Sequence, residues 1–139
     1  MGEEKDSLPD IDLTAQIIQA AIAVHKALGP GFLESIYEAA LCVELDFMNI
    51  PYERQKTINL THRSKPIGEH RLDLFVASRV VVELKAIHAL DPIHFSIVRS
   101  YMKAMHVNSG LLFNFASMPL TVKRVVREIP SRLPDFQIE

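Results

Sequence analysis

The sequence predicts a single α/β domain, a central mixed β-sheet flanked by helices in the order α-α-β-β-β-α-β-(β). Three observations predict it. Two helix-period segments open the chain and share a turn at Gly29-Pro30-Gly31. Strand-like runs follow over residues 52–61, 68–77 and 79–86. A third helical segment, opened by Asp91-Pro92, separates them from another apolar run at Gly110. With 139 residues, 48% hydrophobic and 23% charged, the chain suits one domain that builds its own core.

Each element has its own signal. Residues 1–11 read as a loose polar tail, 12–129 as the domain and 130–139 as a C-terminal tail marked by Pro130 and Pro134. Leu13, Ile17, Ala20, Val24 and Leu28 fall at helical spacing, and Gly29 ends that helix. A second helix over roughly 33–48 brings Leu33, Ile36, Leu41, Leu45 and Met48, and so short a turn implies that the two helices pack together. Cys42, the single cysteine, reads as a small core residue and implies a reducing, cytoplasmic setting. Tyr52–Thr61 is rich in strand formers, and Ser64-Lys65-Pro66 reads as a turn because Pro66 has no amide to give a central strand. Over 68–77, Arg71, Asp73 and Phe75 are expected on one face and Leu72, Leu74 and Val76 on the other. The Val-Val-Val start of 79–86 implies burial on both faces. The helix from 92 to about 106 turns Phe95, Val98, Met102 and Met105 to the core. Gly110-Leu-Leu-Phe-Asn-Phe is then a buried strand, and the β-branched segment Thr121–Ile129 fits a strand or a helix, the strand being preferred.

The formal charge of −2 excludes a protein that coats nucleic acid by bulk charge. Charge is uneven, however: residues 1–50 hold nine acids and two bases, whereas 51–105 hold nine bases and five acids. No apolar run approaches the ~20 residues that span a bilayer. The sequence carries no HExxH, no cysteine cluster and no P-loop, so zinc catalysis and P-loop nucleotide hydrolysis are not expected.

Asp73, Glu83 and Lys85 carry the chemistry. On a strand, Glu83 and Lys85 share a face while Leu84 points away. A hairpin pairing would bring Asp73 beside Glu83, gathering two carboxylates and one ammonium in valine-rich surroundings. That grouping suits a hard cation, Mg²⁺ or Mn²⁺, which lowers the pKa of bound water and offsets charge on a phosphodiester. Lys85 would orient or deprotonate the water, or stabilise the transition state. The same residues also fit an ion pair between neighbouring strands.

The segment Gly29-Pro30-Gly31-Phe32-Leu33-Glu34-Ser35-Ile36-Tyr37 resembles the signature of the GxxExxY protein family, read at Gly31, Glu34 and Tyr37. Arg71-Leu72-Asp73, Val82-Glu83-Leu84-Lys85-Ala86 and Gly110-Leu-Leu-Phe-Asn-Phe follow in the family's order, so the resemblance spans roughly residues 12–128. That family is placed in the PD-(D/E)XK nuclease superfamily. The resemblance implies a restriction-endonuclease-like fold and metal-dependent hydrolysis of DNA or RNA, with Asp73, Glu83 and Lys85 catalytic. It implies that Glu34 approaches the metal from a preceding helix. Glu34 is alternatively a carboxylate favoured by the helix dipole, and Tyr37 a packed aromatic. His94 and Tyr101 match accessory positions on the helix after Glu-x-Lys, whereas Ile97 stands where similar proteins carry Gln. Arg54, Lys56, Arg63, Lys65 and Arg71 are the bases available for phosphates. The alternative is a catalytically inactive nuclease-fold module that binds nucleic acid or protein, alone or as a homodimer.

Overall fold

A computed structural model describes residues 8–127. Helices α1 (Ile11–Leu28) and α2 (Glu34–Phe47) lead into strands β1 (Tyr52–His62), β2 (Lys65–Val76) and β3 (Val80–Lys85). Helix α3 (Pro92–Met105) crosses to β4 (Ser109–Asn114), and β5 (Thr121–Val126) completes the sheet. The strands lie side by side in chain order. β3 and β4 are parallel, as the intervening helix requires, and the remaining neighbours are antiparallel. This is the expected element order and fold class. The tails expected over 1–11 and 130–139 lie outside the described residues except for 8–11, and of these Ile11 already belongs to α1.

Burial explains why β3 and β4 are the sheet's centre. Every residue from Val80 to Leu84 and from Ser109 to Asn114 is buried, as expected for strands covered on both faces. On one face, Leu13, Ile17, Leu41 and Leu45 of α1 and α2 pack against Leu74, Val82, Leu84, Leu111 and Phe113. On the other, Val98 and Met102 of α3 pack against Leu72, Phe75, Val81 and Leu112. Each such fully buried side chain contributes about 1.5–3 kcal/mol. α3 comes close to β4 at Gly110, where an added Cβ would stand 2.8 Å from both Met102 Sδ and Val98 Cγ1. Asp91 caps α3 and Pro92 follows at its first turn. Cys42 is buried on the α2 face.

Two details of the β1–β2 hairpin depart from expectation. The strand β2 begins at Lys65 and includes Pro66, paired with Thr61. The turn is Arg63-Ser64 instead, both with positive φ (51° and 66°), the left-handed pair that matches hairpin twist. Pro66 is tolerated because β3 pairs only with Leu74–Val76, so β2 has a free edge there.

Alternation along β2 also breaks. Leu74 and Val76 face α1 and α2 as expected, but Leu72 packs with Phe75 on the α3 side. Their β1 partners follow: Tyr52, opposite Val76, packs with the first cluster, and Ile58 and Leu60 with the second. The ribbon therefore turns over between the Arg54–Leu74 and Lys56–Leu72 pairs, at the position shared by Gln55 and Asp73.

Candidate active site

The β2–β3 ladder ends at Leu74–Val82. One step further, Asp73 stands opposite Glu83, and side chains take over the work of backbone carbonyls. The Asp73 N–H donates to Glu83 Oε2 at 2.9 Å, and the Leu84 N–H donates to Asp73 Oδ2 at 2.9 Å. The two carboxylates are thus stitched crosswise into the two strands. Leu84 points into the α1/α2 core, so Glu83 and Lys85 share the opposite face.

Burial dominates the electrostatics. Glu83 is 6% exposed, and its carboxyl is pushed up to about 8 by burial and by the neighbouring Asp73 charge. Asp73 is raised by burial and by Glu34, against the lowering pull of the Leu84 amide, Gln55 and Lys85. Lys85 lowers both carboxyls, which places its ammonium in their field. Glu83 is buried and Asp73 half-buried beside it, and two carboxylates so placed resist ionising together, which favours a retained proton. The carbonyl of Lys85 accepts from the Phe115 N–H at 2.8 Å, which ties the end of β3 to the segment after β4.

Helix α2 brings in the third carboxylate. Glu34 is its first residue, and its Oε2 accepts from the Ala86 N–H at 3.3 Å, just beyond β3. The turn before α2 sets that placement. Gly29 and Gly31 have φ of 69° and 116°, a region side chains disfavour. Tyr37, fully buried, donates its hydroxyl to the Gly29 carbonyl and accepts from the Phe32 N–H at 3.2 Å. Its ring stacks on Phe115, with centroids 4.5 Å apart. Glycine-permitted turn, carboxylate and clamping phenol are one unit, with spacing set by one helical turn.

A model of the PD-(D/E)XK nuclease superfamily matches residues 11–125. The chain belongs to this superfamily. The matched span includes the β2–β3 junction where Asp73 and Glu83 meet. The solved structure "Crystal structure of SSO0001" is similar, with a TM-score of 0.53 over 68% of this chain and 50% of that one, at 14% identity. The matched part spans half the length of that relative, and at this identity the likeness concerns the fold. No curated protein matches the chain.

PD-(D/E)XK nucleases generally use divalent metals. The pair Asp73–Glu83 fits one, because a cation can replace the proton that burial otherwise forces onto Glu83. Glu34 does not complete a cage with them. Among the described residues, no three His, Cys, Asp or Glu side chains converge as a metal-holding group.

The other expected residues divide. Tyr101 on α3 belongs to the site's surroundings: its phenol is raised by burial, then by the charges of Glu83 and Asp73. It sits in a cleft of about 400 Å³ with His70, Ile97 and Leu60. His94 is occupied elsewhere, its Nδ1 accepting from the Asp91 N–H at 2.9 Å to close the capping box of α3. Of the bases, Arg54 pairs with Glu38 at 3.0 Å and Lys56 with Glu53 at 3.3 Å. Arg63, Lys65 and Arg71 lie exposed on the part of the β1–β2 ribbon that extends beyond β3.

Sequence reasoning missed three residues. Glu38, 6% exposed, holds Arg54 and Gln55. Gln55 also lies 3.4 Å from Asp73 Oδ1. Asn114 fixes the loop after Lys85, donating to the Ile87 carbonyl at 2.9 Å and accepting from the Ile87 N–H at 3.1 Å. Glu38 lies one helical turn after Glu34, and that spacing was the available signal.

Proposed function

We propose that the protein is a metal-dependent nuclease that hydrolyses phosphodiester bonds in DNA or RNA. The observation that supports this most is the pair of buried Glu83 and half-buried Asp73, facing across the two strands and within the field of Lys85. Asp73 and Glu83 would hold Mg²⁺ or Mn²⁺, with Glu34 approaching from α2. The cation would supply a more acidic water and offset charge on the phosphate. Lys85 orients the attacking water and stabilises the charge that develops on the phosphoryl oxygens. Tyr37 acts at a distance, by fixing the turn that carries Glu34. Tyr101 and the cleft beside it line the approach. Arg63, Lys65 and Arg71 grip phosphates, with Arg54 and Lys56 nearer the base of the arm. The narrower GxxExxY assignment rests on Gly31, Glu34 and Tyr37 and goes with this reading, as does the cytoplasmic setting.

A second reading has its own support. The engagement of Glu34 by Ala86 and the absence of a three-group cluster among the described residues favour a nuclease-fold module that binds nucleic acid or protein without cutting it, alone or as a homodimer. Cleavage of labelled single- and double-stranded DNA and RNA, with Mg²⁺ or Mn²⁺, separates the two. The nuclease reading expects metal-dependent products that Lys85→Ala reduces at least ~100-fold while the fold is kept. Binding without cleavage supports the second reading, and cleavage unchanged in Lys85→Ala removes the mechanism.

A further inference from the structure

Gln55 stands where the β1–β2 ribbon turns over. The pairs on either side of it, Arg54–Leu74 and Lys56–Leu72, are in register, whereas Gln55 is left out of the ladder opposite Asp73. Its φ is +50°, in the left-handed region. The other non-glycine residues with positive φ among the described ones are Asp10, Asn49, Arg63, Ser64, Ala77, Ser78 and His106, all in turns or at helix ends. Gln55 alone among them adopts this conformation inside a strand. Such a backbone persists only when its surroundings impose it, and it clusters where a side chain has to be re-aimed.

The side chain shows what the distortion achieves. Gln55 Nε2 donates to Glu38 Oε1 at 2.8 Å and lies 3.4 Å from Asp73 Oδ1. A primary amide has two hydrogens, one for each carboxylate. Glu38 is itself fixed, buried on α2 with its other oxygen held by Arg54 Nε at 3.0 Å. The Leu84 amide holds the second oxygen of Asp73. Asp73 is therefore held from β3 through the backbone and from α2 through Glu38 and Gln55. No feature of the proposed reaction uses Gln55 or Glu38 directly.

We propose that Gln55 is a positioning residue, its left-handed backbone maintained so that its amide ties the Asp73 carboxylate to Glu38 and fixes the orientation in which Asp73 meets a cation. The inference deepens the nuclease reading and rests on it for its functional consequence. The strain separates a structural role from a positioning one. Glycine adopts φ of +50° freely, so Gln55→Gly removes the strain together with the amide.

The decisive experiment compares wild type, Gln55→Gly and Gln55→Glu. Thermal melting, calorimetric Mn²⁺ titration and steady-state cleavage of a labelled oligonucleotide are measured on each. The proposal expects Gln55→Gly to melt no lower than wild type. It also expects Mn²⁺ affinity to weaken about tenfold and kcat to fall about 10–100-fold, with KM little changed. Gln55→Glu, which places a third acceptor between two carboxylates, should be worse on both counts. A Gln55→Gly protein with unchanged Mn²⁺ affinity and kcat overturns the proposal. A second readout needs neither metal nor cleavage. In the metal-free protein, the Gln55 side-chain amide should give two proton resonances displaced from free-glutamine positions, one of which moves toward its free position in Asp73→Ala. Resonances already at free positions in wild type overturn the proposal. If wild type neither binds Mn²⁺ nor cleaves, the nuclease reading fails, and the amide spectrum still decides whether Gln55 holds Asp73.

Discussion

The β3–β4 centre of the sheet and the Asp73–Glu83 end of β2–β3 are one strand apart but built on opposite terms. At the centre, backbone amides meet backbone carbonyls, and apolar side chains fill both faces. At the other end the ladder stops, and one buried and one half-buried carboxylate accept the amides of Asp73 and Leu84. The first arrangement is stable because every polar group is matched and every apolar one is covered. The second matches its amides equally well but concentrates charge where water is scarce, which a retained proton or, on the nuclease reading, a cation would relieve. On the nuclease reading the same carboxylates close the fold and would carry the chemistry, so losing one should alter both.

The largest effect should come from the centre. Phe113→Ala empties a fully buried site between the helices and the sheet and should cost about 3–5 kcal/mol in urea unfolding, a large fraction of a typical domain's stability. A loss under ~1 kcal/mol would show that the centre is not the stabilising region.

Glu83→Gln probes the other end through pH. The folded carboxyl titrates at about 8, against an ordinary value of 4.5. Because the folded value is raised, the stability it contributes is fully present below the unfolded value and lost as pH rises through the folded one. Metal-free wild type should lose on the order of 1 kcal/mol per pH unit between roughly 5 and 8. Glu83→Gln should lack that slope and overtake wild type toward pH 8. Parallel stability curves for the two proteins would refute the buried-proton account.

Tyr37→Phe removes the hydroxyl from the Gly29 turn and leaves the stacked ring in place. It should cost about 1 kcal/mol by thermal melting, without the cavity penalty of a truncation. The smallest effect on folding belongs to the arm. Replacing Arg63, Lys65 and Arg71 with Ala should change stability by less than about 0.5 kcal/mol. If these bases touch phosphates, the log–log salt dependence of nucleic-acid binding should flatten by roughly 0.7–0.9 for each phosphate no longer neutralised. An unchanged slope would place the nucleic acid elsewhere.

Much of this contrast was legible in the sequence because it depends on period. Glu83 and Lys85 share a face by strand geometry alone, and the valines of β3 announced burial on both sides. Asp73 opposite Glu83 followed once a hairpin was assumed. What stayed hidden depends on a single residue's backbone. Nothing in Tyr-Glu-Arg-Gln-Lys marks Gln55 as left-handed, so the turning over of the ribbon, the shift of Leu72 to the α3 face and the link to Glu38 could not be read. Pro66 misled for a related reason: its missing amide matters only where a strand has two neighbours, and β2 has one there. His94 illustrates the limit of motif matching, since its ring is committed to the Asp91 cap.

Central to the nuclease reading is an exchange in which a divalent cation takes the place of the proton shared at Asp73 and Glu83. Calorimetric titration of metal-free protein with Mn²⁺ at pH 7, repeated in buffers of different ionisation enthalpy, tests it most directly. The exchange predicts saturable binding with release of about one proton, and loss of both signals in Glu83→Gln. Mn²⁺ binding that releases no proton, or that survives unchanged in Glu83→Gln, would contradict it.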